Sequence, residues 1–382
     1  MTDNQQWQAQ EGRTVQPTTP APASASPLGA PGGPPPQQYP GMPLGWTPPP
    51  KPGVVPLRPM TLGTILSGSF QVLRRNPRPT LGPALIISII TTGLQTVGQV
   101  ALLGPYLQHT STNSISSLSS LGALYTNLLG SSVPALLLGV LGTAILQGII
   151  ALEVGRALLG DKQKLAGLLR QLKGRLLPLI GWGFLLILAL AVAGGIVIGP
   201  AALLLSAGGA AVGFGVLILV LGSAAVIAGS IWLGTRLIFV PSSIVLERLK
   251  LMDAVRRSWS LTTGFFWRTF GIQALVNLMI AVGVSIVTTP VSLIFSLGGL
   301  VLNPNGSLTD FTSTFVLSTI VTGAVTAIIG SVGNVVQVAS TSLMYVDLRM
   351  RKEGLDLDLA RYVEARAAGA TGLPDPYKRV AP

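Results

Sequence analysis

Residues 179–199 read LIGWGFLLILALAVAGGIVIG, and this uncharged stretch decides the fold class. Twelve of its residues are Leu, Ile, Val or Phe, and each of these favours insertion by roughly 0.3–0.6 kcal/mol near the centre of a bilayer. A hydrocarbon core about 30 Å thick needs a helix of ~20 apolar residues. The stretch is therefore long and apolar enough to form a transmembrane helix.

Three other parts of the chain have the same character. Four long uncharged runs cover residues 79–152, 176–235, 269–309 and 311–346 of the 382. Only 10% of all residues are charged, whereas soluble domains carry roughly 25%. Cysteine is absent, so the composition excludes both a soluble enzyme and a disulfide-stapled secreted domain. The chain is predicted to be an all-α, polytopic membrane protein.

Polar and turn-forming residues divide the four runs into about six transmembrane helices. A serine-rich stretch that begins at His109 predicts an outer loop to about residue 132, and Gly199–Pro200 divides the second run. Asp310, which follows the turn sequence 303–306, separates the last two spans, and Pro290 predicts a kink in the fifth. The predicted spans lie near residues 80–103, 133–152, 177–199, 211–235, 269–300 and 313–345.

The charges predict the orientation of the spans. With six spans, all 25 Lys and Arg residues fall on one side of the membrane, and Asp310 is the only formal charge on the other, so the balance is 25 − 12 = +13 inside and −1 outside. The positive-inside rule then places both termini in the cytoplasm, in a multi-pass protein of the cell (inner) membrane. Basic residues beside spans favour anionic headgroups, so membrane lipids, and not nucleic acid, are the predicted partner.

Three amphipathic stretches each precede a pair of spans. Their apolar faces contain Leu62, Ile65, Leu66, Phe70 and Leu73, then Leu165, Leu168, Leu169, Leu172 and Leu176, then Met252, Val255 and Trp259. The basic residues predicted to contact lipid headgroups are Arg74, Arg75, Arg170, Lys173, Arg256 and Arg257. Related junctions with glycine at 82, 181 and 271 follow the three stretches. We therefore predict three repeats of an interfacial amphipathic helix plus a transmembrane hairpin.

The two ends of the chain differ from its centre in composition. Residues 1–59 hold 16 of the 29 prolines, so residues 1–56 are predicted to be a disordered, Pro-rich cytoplasmic tail. This tail has two interpretations, a docking segment for a cytoplasmic protein partner and a tether without a partner. Residues 57–348 are predicted to form the six-span membrane domain. Residues 349–382 are predicted to be a cytoplasmic tail with a short amphipathic helix that ends near Arg366, followed by a disordered tip.

Three motifs outside the spans carry a family resemblance. They are PLRPMTLG at residues 56–63, DAVRRSW at 253–259 and YVDLRMR at 345–351. With these motifs the chain resembles actinobacterial multi-pass proteins that are labelled as the membrane domain of glycerophosphoryl diester phosphodiesterase. The resemblance covers roughly residues 56–366 and concerns the membrane part only, because no region remains that is suitable for the soluble phosphodiesterase barrel. It therefore implies a bacterial membrane domain and no specific activity.

The sequence offers little for catalysis. It has one histidine, His109, in a predicted outer loop, and no Gly-rich phosphate loop with its lysine. Asp347 and Glu153 lie at the inner ends of spans, where ion pairs with Arg349 and Arg156 would account for them. We therefore predict no catalytic, cofactor-binding or metal-binding residues and no cofactor.

Uncharged polar residues inside the spans are the candidates for a solute path, because polar groups are costly in a bilayer. They are Gln147, Gln273, Asn277, Asn334 and Gln337. Hydrogen bonding between helices is the other interpretation of these residues. The sequence thus predicts a non-enzymatic scaffold or lipid-interacting module of unspecified oligomeric state. The alternative is a transporter or channel component for a lipid-like or small neutral solute.

Overall fold

The computed structural model describes residues 58–110, 118–302, 308–370 and 372–377, and its regular structure there is entirely helical. The helices are α1 (Leu62–Arg75), α2 (Pro77–Thr110), α3 (Leu118–Leu158), α4 (Leu165–Leu172), α5 (Leu176–Ala207), α6 (Ala211–Leu237), α7 (Val240–Leu246), α8 (Leu251–Thr262), α9 (Phe266–Leu302), α10 (Leu308–Glu353) and α11 (Leu355–Ala367). The chain is an all-α, polytopic membrane protein, as its uncharged runs predict.

Six segments in this part of the chain are long and apolar enough to cross a membrane. They are Pro77–Val100, Leu137–Leu158, Leu176–Ala207, Ala211–Leu246, Phe266–Gly298 and Ser313–Glu353. They form three hairpins, α2–α3, α5–α6 and α9–α10, and the short helices α1, α4 and α8 precede them. The predicted order of an amphipathic helix followed by a hairpin, three times along the chain, is confirmed.

The packing of the three units follows one rule. Each short helix packs on the second helix of the hairpin in another unit. Helix α4 packs on α3 of the first unit, α8 on α6 of the second, and α1 on α10 of the third. The first spans follow the same order, because α5 packs on α3 and α2 packs on α10. The third such pair, α6 and α9, makes only sparse contact. The helices are therefore arranged in a ring with one weak seam.

Corresponding positions of the three units have the same environment. Thr80, Leu179 and Thr269 each lie two residues before the junction glycines 82, 181 and 271, and all three are buried. The stretches 171–180 and 261–270 also share the same succession of helix, turn and helix. This agreement supports an internal repeat that the glycine spacing alone could only suggest.

The best-packed part of the protein lies at one end of the bundle, which we call the charged end. Here α2, α5 and α9 begin, and α3, α7 and α10 end. Its core contains fully buried Met60, Phe239 and Tyr345. The side chains in the middle of the spans are more exposed, and residues 277–298 of α9 include no buried residue. The charged end is better packed than the middle of the spans because lipid can cover apolar side chains, whereas polar backbone and charged groups need partners from the protein.

The second run divides later than predicted. Helix α5 continues through Pro200 and ends at Ala207, because neighbouring groups in transmembrane helices can compensate for the hydrogen bond that proline lacks. The chain turns instead at Gly208 and Gly209, whose φ angles of 73° and 56° favour residues without a Cβ atom. Pro290 likewise lies inside the continuous helix α9.

The predicted outer loop from 104 to 132 is also wrong over most of its length. Helix α2 extends to Thr110 and α3 begins at Leu118, because leucines at 121, 124, 128 and 129 recur at helical spacing. Residues 111–117, the turn 303–306 and the predicted disordered tail 1–56 lie outside the described residues.

The C-terminal segment is part of the packed structure. Residues 349–353 continue α10, and α11 is the predicted amphipathic helix, with Leu355 and Leu359 buried. Beyond it, Tyr377 is buried, and its hydroxyl donates to the carbonyl oxygen of Gly155 at 2.8 Å. The prediction of a disordered tip after this helix is therefore wrong for residues 368–370 and 372–377.

Candidate functional site

A buried carboxylate lies at or near the end of the second span in each of the three units. These are Glu153 in α3, Glu247 directly after α7 and Asp347 in α10. A buried carboxylate requires ion pairs or hydrogen bonds to compensate for its lost hydration. Their partners therefore show how the charged end is held together.

Glu247 lies between two arginines. The Arg257 guanidinium of α8 donates from Nε to its two oxygens at 3.0 and 3.1 Å, and Arg349 Nε is 3.5 Å away. The Tyr345 hydroxyl also donates to Glu247. Arg257 reaches Glu353 with its two terminal nitrogens, at 2.5 and 2.6 Å. Burial alone would lower the pKa of Arg257, but the carboxylates of Glu353 and Glu247 raise it above its usual value.

Asp347 connects the first unit to the third. It accepts a hydrogen bond from the backbone N–H of Met60 at 2.6 Å and pairs with Arg268 at 2.5 Å and Arg351 at 3.0 Å. Both arginines also donate to the Met60 carbonyl oxygen. One carboxylate thus fixes the segment before α1, the start of α9 and the end of α10.

Glu153 has a different environment. Its side chain is buried and accepts one hydrogen bond from Asn76 Nδ2, at 3.0 Å, and its Oε2 atom has no partner among the described residues. Nearby Arg75 donates to the carbonyl oxygens of Ala157, in the last turn of α3, and of Gly160, just after it. The Glu153 site lies within the first unit and is thus held by hydrogen bonds, with no ion pair among the described residues.

The ion pairs that the sequence suggested for Asp347 and Glu153 are wrong. Arg349 is two positions after Asp347 on a helix, so it points to another side, whereas Arg351 at i+4 lies on the same face. Arg156 instead lines a small cleft with Arg175 and Asp375.

The predicted headgroup contacts divide into two groups. Arg74, Arg170, Lys173 and Arg256 are exposed at the charged end. Arg257 is buried between Glu247 and Glu353, and the half-buried Arg75 caps α3, so both are internal structural residues and their prediction is wrong. On α8 the buried face contains Ala254, Ser258 and Leu261, because α7 and α10 cover it, while Met252 and Trp259 remain exposed.

The polar span residues line neither the apolar pocket nor the basic groove described below. Gln273 accepts a long hydrogen bond of 3.4 Å from Thr341, which links α9 to α10. Gln147 and Gln337 are half-buried, and Asn277 and Asn334 are exposed. An apolar pocket of about 200 Å³ between α1, α9 and α10 contains none of these five side chains.

A basic groove lies between the α4–α5 turn and the segment that follows α7. It has a volume of about 740 Å³, and Arg170, Arg175, Arg248 and Lys250 line it. Burial, followed by the charge of Arg248, lowers the pKa of Arg175 to about 10. Sequence reasoning identified only Arg170 of this set. Arg175 is far from Arg248 and Lys250 along the chain. The buried helix α7, which positions Arg248, has no amphipathic pattern that predicts it.

Arg236 occupies the weak seam between α6 and α9. Its guanidinium lies 5.2 Å from the ring of Trp259 and 5.4 Å from that of Phe266, as in cation–π contacts. Its position in the last turn of α6 agrees with the inner end of the fourth predicted span.

Comparison with known proteins identifies the family of the chain. Comparison with curated proteins gave no match, and comparison with solved structures gave none. A family model described as a domain of unknown function, DUF7847, matches residues 60–348, which include the first five spans, most of the sixth and the three buried carboxylates. The chain therefore belongs to the DUF7847 family.

Proposed function

We propose that this chain is a non-enzymatic integral protein of the cell membrane that serves as a lipid-interacting module or scaffold, with its charged end against the cytoplasmic leaflet. The observation that carries the proposal is the division of charge at that end. The buried carboxylates Glu247 and Asp347 are already neutralised by internal arginines. The exposed cations Arg74, Lys173 and Arg256 pair with no carboxylate in the described structure.

Exposed apolar residues accompany these cations. Phe70 on α1, Leu169 on α4 and Trp259 on α8 are each about 40% exposed, and Trp267 at the start of α9 is 78% exposed. Tryptophan favours the boundary between headgroups and acyl chains. Cations beside apolar side chains on short helices suit a position in the headgroup layer.

The expected attraction is moderate and depends on salt. A Lys or Arg near an anionic leaflet contributes about 1 kcal/mol, so the three exposed cations Arg74, Lys173 and Arg256 together contribute at most ~3 kcal/mol. The attraction falls off within a Debye length of about 8 Å at physiological ionic strength. Anionic lipid should thus be enriched around the charged end without being bound permanently.

Competition between brominated lipids tests this proposal. Full-length protein is reconstituted in phosphatidylcholine with increasing phosphatidylglycerol, one of the two lipids brominated. Quenching of tryptophan fluorescence reports which lipid lies near the exposed tryptophans, among them Trp232, Trp259 and Trp267. We expect a preference for phosphatidylglycerol that weakens at high salt and is lost in a triple variant with glutamine at positions 74, 173 and 256. The control variant Arg361→Gln, exposed on α11, should keep it. Equal quenching by both lipids in the unaltered protein would contradict the proposal.

The scaffold component concerns the Pro-rich segment 1–56, which lies outside the described residues. A cytoplasmic partner would be recovered with the full chain and lost after removal of this segment, with membrane insertion intact. The transport alternative rests on the polar span residues, and none of the five lines the apolar pocket or the basic groove. The resemblance to the membrane domain labelled glycerophosphoryl diester phosphodiesterase stays a prediction.

A further inference from the structure

The cations of the basic groove differ from the arginines of the ion-pair network. Arg257, Arg268, Arg349, Arg351 and Arg366 each have a carboxylate oxygen within 4.0 Å. None of the four groove cations, Arg170, Arg175, Arg248 and Lys250, has one. Four positive charges therefore converge on one cavity that has no carboxylate among its lining residues.

Backbone features position two of the groove cations. Arg175, half-buried before the first turn of α5, donates to the carbonyl oxygen of Val245, so its guanidinium stays at the groove wall. Arg248 has a φ of 60°, and it is the only described non-glycine residue in the left-handed region. A non-glycine residue in this conformation costs of order 1 kcal/mol or more. The backbone thus accepts strain at the residue that brings a second guanidinium to the groove.

The groove also leaves space for a ligand. Its volume of about 740 Å³ exceeds that of a single phosphate. Gly167 and Gly174 contribute no side chains to the lining, and a Cβ atom at Gly174 would have no heavy atom within 4 Å. Pro178 and Leu249 give part of the wall an apolar surface.

We propose that this groove binds a phosphate group with two or more negative charges, such as a phosphomonoester or a diphosphate, presented by a lipid headgroup or by a soluble phosphate compound. Guanidinium groups match phosphate oxygens in paired, charge-assisted hydrogen bonds. Several cations without carboxylates favour a polyvalent anion over the single charge of a phosphodiester. The lipid source rests on the proposed function, since it requires the charged end to lie at a leaflet, whereas the soluble source does not.

Repulsion between the cations of the groove favours the binding of an anion there. Burial and the neighbouring Arg248 and Arg156 lower the pKa of Arg175, and Asp375, which lines the adjoining cleft, acts in the opposite direction. A bound phosphate would add the missing negative charge beside these cations and relieve their repulsion.

The test uses the full chain in phosphatidylcholine nanodiscs and three probes, namely phosphatidic acid, phosphatidylglycerol and inorganic pyrophosphate. Native mass spectrometry counts bound lipid, and titration gives the apparent dissociation constants. We expect one molecule of phosphatidic acid to bind at least about tenfold more tightly than phosphatidylglycerol. Arg248→Gln, which changes an exposed side chain, should weaken this binding about tenfold or more. The charge-matched control Arg361→Gln should retain it.

The probes separate the two sources of the phosphate. Binding of phosphatidic acid that pyrophosphate does not displace assigns the groove to a lipid, and tight binding of pyrophosphate assigns it to a soluble compound. If neither probe binds more tightly than phosphatidylglycerol, or if Arg248→Gln and Arg361→Gln weaken binding equally, the inference is overturned. A general preference for phosphatidylglycerol over phosphatidylcholine would persist in that case, so failure of the groove differs from failure of the proposed function.

Discussion

Replacement of Asp347 by asparagine tests the ion-pair network that holds the charged end together. The Asp347 carboxylate pairs with Arg268 and Arg351 and accepts from the Met60 N–H, so it joins three segments of the chain. In the Asp347→Asn variant the side-chain amide would keep an oxygen for Met60 but would lack the negative charge between two cations.

The size of the effect follows from the exposure of the partners. Removal of one member of a buried ion pair costs about 3–5 kcal/mol. Arg268 and Arg351 are each 30% exposed, so water can partly solvate them after the change. We therefore expect a loss of about 3 kcal/mol in the free energy of unfolding, which is roughly a 100-fold shift in the folding equilibrium.

Glu153→Gln is the matched comparison, because it also converts a buried carboxylate to an amide. Glu153 forms one hydrogen bond, to Asn76, and has no ion pair within the described structure, so the amide should cost about 1 kcal/mol or less. Equilibrium unfolding in mixed detergent micelles, followed by circular dichroism, measures both variants. A similar change in the two free energies would refute the argument that the arginine partners make Asp347 the more important of the two.

Three further predictions concern packing and orientation. At Gly148 an added Cβ would overlap the methyl groups of the fully buried Leu172, so Gly148→Ala should destabilise the α3–α4 contact by ~1–3 kcal/mol in the same unfolding assay, and an unchanged midpoint would contradict this contact. Tyr377→Phe removes the donor to the buried Gly155 carbonyl and should cost ~1 kcal/mol; proteolysis of the C-terminal segment at an unaltered rate would count against its docking. Because the chain has no cysteine, Ser260→Cys and Ser206→Cys each introduce a single labelling site, and the two sites lie at opposite ends of the bundle. A membrane-impermeant maleimide should label only the Ser206→Cys variant in intact cells. Labelling of only the Ser260→Cys variant would place the charged end outside.

The spans and their order could be predicted because a bilayer imposes a strong one-dimensional constraint. Uncharged runs of more than 20 residues and one-sided lysine and arginine predict six spans, and the structure contains six in its described part. The amphipathic stretches before them are the helices α1, α4 and α8. Boundaries were less predictable, since Pro200 was expected to end a helix that runs through it.

The interior of the charged end could not be predicted, because it depends on contacts between distant parts of the chain. Arg257 looked like a surface cation on its helix, and only the approach of Glu247 and of Glu353, 96 residues away, makes it internal. The groove joins Arg175 to Arg248 across two spans. Composition and helical periodicity contain no information on such pairs.

The central claim, that the charged end contacts anionic lipid, is tested most directly by native mass spectrometry of the full chain after gentle extraction from its own membrane. We expect phospholipids retained by the protein to be enriched in anionic headgroups relative to the membrane, and this enrichment to fall in the triple variant with glutamine at positions 74, 173 and 256. Retained lipid with the same headgroup composition as the surrounding membrane, unchanged in the variant, would contradict the claim.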